Sequence, residues 1–220
     1  MIHAHIPSRP GEPFQPDPFR PWIPAVPSRP DPSAPVRVWT DPDAAWTGKL
    51  LEQLLARRIV LVSGVLDDHA ATRLTAALLT LDAEAASPIR LELQNLRADL
   101  AAAIAVMGIL DVMRAEVHGI VSGELAGPAV GLLASCPRRT ARPNATIALT
   151  EPKLALSGTT TAISAREQQL IRMLDTLYYR VAEVTGRPAE EIRADARRGR
   201  LLTTGEAIGY GLIQAEETRN

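Results

Sequence analysis

The chain has 220 residues, of which 46% are hydrophobic and 4% aromatic, and its formal net charge is −1 at pH 7. This length fits one medium-sized domain with or without a tail, and the balanced charge argues against nucleic acid or an anionic membrane as a partner. The single cysteine, Cys136, excludes an intrachain disulfide and favours a reducing compartment. No apolar run in the sequence is long enough to span a bilayer, and no signal-peptide pattern is present, so we expect a cytoplasmic protein.

The first 36 residues contain eleven prolines. Proline fixes φ and donates no backbone N–H, so this segment can form neither a helix nor a central strand. We predict a disordered arm over residues 1–36 and a folded α/β domain over residues 37–220. Phe14, Phe19 and Trp22 are spaced along the arm, which leaves open that it docks on a partner.

Helical and strand patterns alternate along the rest of the chain, which predicts a largely parallel sheet with right-handed crossovers. Residues 95–100 are expected to form a loop, and Ser164 with Glu167 matches a capping box that begins a long helix. The predicted strands cover residues 59–63, 89–93, 117–122 and 145–149, and the predicted helices cover 43–55, 67–85, 100–114, 129–134, 164–184 and 188–198.

The turn at residues 123–128 is the centre of the functional argument. It follows a buried strand and precedes an apolar helix, which is where α/β enzymes place a nucleophile or an oxyanion site. The apex of this turn is Gly127-Pro128, where a serine hydrolase would carry serine.

The predicted long helix carries an apolar side formed by Leu170, Leu174, Leu177 and Val181, and Tyr178 lies on the same side. A helix exposed to solvent would carry fewer large apolar residues, so we expect this side to form a contact between subunits. The alternative is that it packs only within its own subunit.

Several short motifs in matching order resemble the proteolytic subunit of the Clp protease, and the resemblance covers about residues 50–213. They lie at residues 57–64, 123–128, 142–145, 151–152, 185–188 and 206–213. The resemblance implies a ClpP/crotonase-like α/β fold of repeated β-β-α units with a protruding handle helix. It also implies assembly into heptameric rings.

The resemblance further implies a Ser-His-Asp triad, and this chain departs from it at each position. Carried over residue by residue, the serine falls on Gly127, the histidine on Thr150 and the aspartate on Gly199. In the oxyanion region, the glycine pair of the family falls on Arg97 and Ala98. Pro128 replaces the residue whose N–H would be an oxyanion donor, and proline has no N–H. We therefore expect no intact catalytic site, and no cofactor or metal.

Other reactive residues do not replace the triad in the sequence. Ser122 lies on the preceding strand and is expected to point elsewhere, and Asp195 has no histidine to orient. His69 and His118 are expected to have core or surface roles, and Cys136 is expected to be a buried, unreactive thiol.

The favoured hypothesis is a catalytically inactive, ring-forming subunit of an ATP-dependent proteolytic complex. Such a subunit would assemble with itself or with active paralogues, and an AAA+ unfoldase would be a further partner. Three alternatives remain open: a serine endopeptidase with a rearranged site, a crotonase-like acyl-CoA-binding protein, and an adaptor that acts through its arm. Pro128 and the loop expected at Arg97-Ala98 argue against the acyl-CoA alternative, because such enzymes use two backbone N–H groups.

Overall fold

The computed structural model describes residues 42–152 and 160–217, and the side chains of residues 48–152 and 164–217. The predicted arm, residues 1–36, lies outside the described residues. Within the described part, no helix combines the length and the apolar character that crossing a membrane requires.

The described part is a mixed α/β fold with a mostly parallel sheet, which confirms the predicted fold class. The helices are α1 (Pro42–Ala56), α2 (Asp68–Glu84), α3 (Leu100–Leu110), α4 (Ala129–Ala134), α5 (Thr160–Thr185), α6 (Ala189–Arg198) and α7 (Thr204–Tyr210). The strands are β1 (Ile59–Leu66), β2 (Ile89–Ala98), β3 (Val117–Ala126), β4 (Arg138–Ala141), β5 (Thr146–Leu149), β6 (Arg200–Thr203) and β7 (Ala215–Glu216).

Strand β3 is the centre of the sheet, because its two halves have different neighbours. The strands run parallel in the order β1-β2-β3-β4-β7, and residues 118–121 of β3 pair with β4. Residues 124–126 of β3 pair instead with β5, and β6 runs antiparallel to β5. The second half of β3 therefore leads directly into the turn of interest, beside β5 and β6.

A row of left-handed residues bends the first three strands at one level. Gly64 (φ 81°), Asn95 (φ 45°) and Gly123 (φ 68°) lie at or beside shifts in the pairing register. The Asn95 side chain accepts a hydrogen bond from the Glu124 N–H at 3.1 Å, which links β2 to β3 at the bend. Each of these strands is thereby divided into two segments, as a β-β-α unit requires.

The core is built from aliphatic side chains of the sheet and of the helices packed on it. Leu66, Leu78, Leu93, Leu125 and Leu133 are all fully buried in one cluster. Burial of each such side chain contributes about 1.5–3 kcal/mol, so aliphatic packing compensates for the low aromatic content.

Hydrogen bonds from side chains hold both ends of α2. The Asp67 carboxylate accepts a hydrogen bond from the Ala70 N–H at 2.8 Å, which caps α2. At the other end, Arg58 donates to the carbonyl oxygens of Leu81 at 2.9 Å and Ala85 at 2.8 Å. The chain that enters β1 is therefore tied to the end of α2.

Several predicted boundaries are wrong. Residues 95–98 belong to β2 and not to a loop, because a bulge at Asn95 bends the strand without ending it. Helix α5 begins at Thr160, so Ser164 and Glu167 lie inside the helix and form no capping box at its start. Helix α1 begins at Pro42, which places Asp43 in its first turn.

Strand β4 was not predicted because its sequence, RRTA, is polar. Its residue Arg139 is buried, and its guanidinium donates to the carbonyl oxygens of Leu212 at 2.9 Å and Cys136 at 2.8 Å. These bonds satisfy a charge that patterns of apolar residues would place on the surface.

The apolar side of helix α5 packs within its own chain and not against another subunit. Leu170, Leu177 and Val181 are 9%, 3% and 2% exposed, and they pack into the core of their own chain. Leu174 is partly buried against the same core. The prediction that this side forms a contact between subunits is therefore wrong. Residues 164–169, at the other end of the helix, are all exposed.

Candidate functional site

The candidate site begins at the turn between β3 and α4. Gly127 has φ 61°, a left-handed conformation that glycine adopts without strain. Its N–H donates to the Ala148 carbonyl oxygen at 3.0 Å, and its own carbonyl oxygen accepts from the Val130 N–H at 3.1 Å. Both backbone groups of Gly127 therefore have protein partners. Pro128 follows and has no N–H to offer a ligand.

Thr150 lies directly beside this turn. A Cβ atom built on Gly127 would lie 3.3 Å from Thr150 Oγ1 and 3.6 Å from the Thr150 carbonyl oxygen. Thr150 is the residue after β5, whose middle pairs with the end of β3. The sheet therefore brings together two residues that lie 23 positions apart in the sequence.

Gly199 approaches the same place from the antiparallel strand. Leu149 of β5 pairs with Arg200 of β6, so Thr150 and Gly199 are the next residues along the two strands. The Glu151 N–H also donates to the carbonyl oxygen of Ala196, in the last turn of α6, at 3.2 Å. Gly127, Thr150 and Gly199 thus lie around one point, although their equivalence to a triad remains a prediction.

None of these three residues brings a general base to that point. Gly127 and Gly199 have no side chains, and a threonine hydroxyl does not act as a base near neutral pH. The two histidines of the described part are His69, exposed in the first turn of α2, and His118, near the start of β3. Gly127 lies nine positions beyond His118 along the chain, which corresponds to roughly 30 Å of extended chain.

Ser122 and His118 belong to polar contacts on the first half of the sheet. Ser122 Oγ accepts a hydrogen bond from Arg142 Nε at 2.9 Å, and another nitrogen of Arg142 donates to Glu92 at 3.0 Å. His118 Nε2 lies 2.9 Å from Thr140 Oγ1, and burial lowers its pKa. These partners agree with the expectation that neither residue serves the turn.

Arg97 and Ala98, the predicted oxyanion-region residues, lie at the end of β2. Arg97 pairs in register with Ala126, the residue before the turn. Its side chain is 71% exposed and forms an ion pair with Glu124 at 3.0 Å. The structure therefore places a charged side chain on the strand adjacent to the turn, where the predicted loop would have exposed backbone.

Asp195 has a role that the sequence analysis missed. Its side chain is 2% exposed and accepts hydrogen bonds from Arg198 at 2.8 Å, Arg200 at 2.9 Å and the Tyr210 hydroxyl at 2.8 Å. Burial raises the pKa of this carboxyl, but the three hydrogen bonds more than offset that effect, and the pKa is lowered. Asp195 thus fixes the chain on both sides of Gly199. Its spacing of three residues before Arg198 on a helix was the available signal.

A small cavity lies under the turn. It has a volume of about 10 Å³ and is lined by Gly127, Val130, Leu149, Thr150, Leu177, Tyr178, Val181, Ile192 and Ala196. Tyr178 comes from α5 and is 4% exposed. Its hydroxyl oxygen is buried and has no hydrogen-bond partner within the described part of the chain. From the sequence, Tyr178 is predicted only to lie on the apolar side of the helix.

Cys136 is a structural residue of the core. Its side chain is 1% exposed, and burial raises the pKa of the thiol to about 12. Its Sγ–H donates to the Leu132 carbonyl oxygen at 3.2 Å. A thiol with this pKa stays protonated near neutral pH, which agrees with the predicted lack of reactivity.

Comparison with known protein families identifies the fold that carries this site. The family model of the Clp protease matches residues 43–216, which is most of the chain and includes every residue of the candidate site. The bent parallel strands, the long helix α5 and the convergence of β3, β5 and β6 at Gly127 all lie inside the matched range. The chain therefore belongs to the Clp protease family.

Proposed function

We propose that this protein is a catalytically inactive Clp-protease-like subunit that acts by assembly. Copies of it form rings in the cytoplasm, either alone or together with active paralogues. These rings contribute to an ATP-dependent proteolytic complex with an AAA+ unfoldase. Membership of the Clp protease family supports a role in proteolysis.

The observation that carries the proposal is the turn between β3 and α4. It presents Gly127 and Pro128, and its neighbour Thr150 has no base beside it among the described histidines. Serine peptidases need a nucleophile, a base and oxyanion donors at this point. Loss of an entire triad lowers the rate of peptide hydrolysis by about 10⁶-fold.

The ion pair between Arg97 and Glu124 supports the same conclusion. Arg97 is paired with Val65 of β1 on one side and with Ala126 of β3 on the other, so its backbone lies inside the sheet and not in a loop that substrate backbone could approach. Here the end of β2 carries a guanidinium and β3 carries its carboxylate partner, 3.0 Å apart.

The first prediction concerns covalent labelling. The purified protein should not be labelled by a fluorophosphonate probe and should not cleave short fluorogenic peptides, because position 127 carries no hydroxyl. Intact mass spectrometry measures labelling, and an active serine peptidase run in parallel verifies the probe. Specific labelling at an identified residue of this chain would contradict the proposal.

A restored variant provides the matched control. The substitutions Gly127→Ser, Thr150→His and Gly199→Asp place the three reacting groups where the backbone already converges. Pro128 still removes one oxyanion donor, which costs about 10²–10³-fold in rate. Adding Pro128→Met, Arg97→Gly and Ala98→Gly should therefore increase the labelling rate over that of the triple variant.

A further inference from the structure

We propose that the cavity under the Gly127 turn binds a single water molecule, held between the hydroxyl groups of Tyr178 and Thr150. Of the nine residues that line this cavity, only these two carry hydrogen-bonding side chains. The Tyr178 hydroxyl is buried without a partner in the described part of the chain, on a residue that is 4% exposed.

The volume of the cavity fits a single water molecule and no larger ligand. Its volume of about 10 Å³ is close to the smallest that holds one water molecule, about 10–15 Å³. A purely apolar cavity of this size would stay dry, but two hydroxyl groups give a water the minimum number of polar partners. A buried hydroxyl left without a hydrogen bond costs about 1–3 kcal/mol, so there is a driving force for hydration.

The protonation states suit such a bridge. Burial, followed by the nearby carboxylate of Glu151, raises the pKa of Tyr178 to about 12. The phenol therefore keeps its proton near neutral pH and donates to the water. Thr150 Oγ1 can accept from the water or donate to it, since a hydroxyl does both.

The consequence of this water for the candidate site rests on the proposed function, because it assumes that Thr150 stands at the family's histidine position. If Thr150 stands where the family has histidine, Tyr178 and its water occupy the space beside that position. An imidazole ring is larger than one water molecule, so a histidine at residue 150 must displace the water or shift Tyr178.

A double-mutant cycle tests the water site without any assay of activity. Tyr178→Phe, Thr150→Val and the double variant are compared with the full-length protein by thermal unfolding. Tyr178→Phe should lower the melting temperature by about 2–4 °C, because a satisfied hydrogen bond is lost. The effect of Thr150→Val should shrink in the Tyr178→Phe background, because the same water links the two hydroxyls.

The neighbouring residue supplies the control. Tyr179 lies on the same helix and is 62% exposed, so Tyr179→Phe should leave the melting temperature unchanged. An increase in melting temperature for Tyr178→Phe would show an unsatisfied hydroxyl and overturn the proposal. Additive effects of the two substitutions would show that they share no water and would also overturn it.

Failure of this cycle is distinguishable from failure of the proposed function. The cycle measures the stability of the native site, whereas the labelling experiment measures nucleophilic reactivity at residue 127. A coupled pair with unexpected labelling would keep the water and reject the inactive subunit. An uncoupled pair without labelling would reject the water and keep the inactive subunit.

Discussion

The buried carboxylate of Asp195 is the residue that most directly shapes the candidate site. It ties Arg198 and Arg200 to the hydroxyl of Tyr210, and Gly199 lies between the two arginines. The Tyr210 ring also stacks under the guanidinium groups of Arg187 at 4.2 Å and Arg200 at 5.0 Å. One charge therefore holds the end of α6, the start of β6 and the end of α7 together.

Replacement of this charge gives a prediction about stability. Asp195→Asn keeps the size of the side chain but removes its charge, and hydrogen bonds to charged groups contribute about 1.5–3 kcal/mol. The free energy of unfolding should fall by a similar amount in urea titrations. Asp175, which pairs with Arg193 on the surface and is 37% exposed, is the matched control. Asp175→Asn should cost less than about 1 kcal/mol.

The same substitution should change the acid limb of the stability curve. The folded-state pKa of Asp195 is lowered, so its contribution is fully present above its unfolded pKa, near 3.8, and is lost as pH falls through the lower folded value. Asp195→Asn should therefore flatten the loss of stability below about pH 4. An unchanged acid limb would show that Asp195 does not titrate in this network.

At the scale of elements, the bends in β1–β3 decide where the strands lead. The bend in β3 depends on Gly123, which has φ 68°. A Cβ atom there would lie 2.1 Å from Asn95 Oδ1, the atom that accepts the Glu124 N–H. The second half of β3 and the turn at Gly127 depend on this close approach.

Substitution of Gly123 should therefore destabilise the protein. In Gly123→Ala, the left-handed backbone costs about 1–2 kcal/mol, and displacement of Asn95 breaks the link between β2 and β3 in addition. Gly108, exposed in the last turn of α3 with no atom within 4 Å of a built Cβ, is the control. Gly108→Ala should stabilise the protein by about 0.5–1 kcal/mol. Equal effects of both substitutions in chemical denaturation would contradict the role assigned to the bend.

Elements that depend on local patterns were predicted from the sequence, whereas the strand ends at the bends and strand β4 were not. The buried helix over residues 129–134 and the helix over residues 67–85 follow from local patterns, and the structure has both, the second as Asp68–Glu84. The strand ends were wrong because Asn95 and Gly123 look like turn residues, although they bend strands that continue. Strand β4 was missed because its buried charge, Arg139, is satisfied by carbonyl groups that only the tertiary structure brings near.

Some residues of the candidate site could be predicted from the sequence, and others could not. Alignment of motifs in the sequence indicated Gly127, Thr150 and Gly199, and the pairing of β3, β5 and β6 brings them to one place. Tyr178 and Asp195 could not be assigned, because their importance depends on contacts across α5, α6 and α7. Periodicity placed Tyr178 on the apolar side of α5, but it could not show that the hydroxyl is buried without a partner in the described part of the chain.

At the scale of the whole molecule, the structure redirects the search for a surface that joins subunits. The apolar side of α5 is occupied by its own core, so a contact along this helix must use residues on its outer side. Ile171 is 51% exposed, whereas Leu177, six residues further along, is 3% exposed. This pair separates loss of assembly from loss of folding.

The last prediction uses that pair. If rings join along α5, Ile171→Glu should leave the melting temperature unchanged and shift native mass spectra towards smaller assemblies, because an unpaired charge is costly at an apolar contact. Leu177→Glu should instead unfold the chain, because its carboxylate would lie in the core beside Gly131. Leu177 Cδ1 lies only 2.5 Å from a Cβ atom built on Gly131. Circular dichroism distinguishes the two results. Wild-type-sized assemblies formed by folded Ile171→Glu would exclude this side of α5 as the contact.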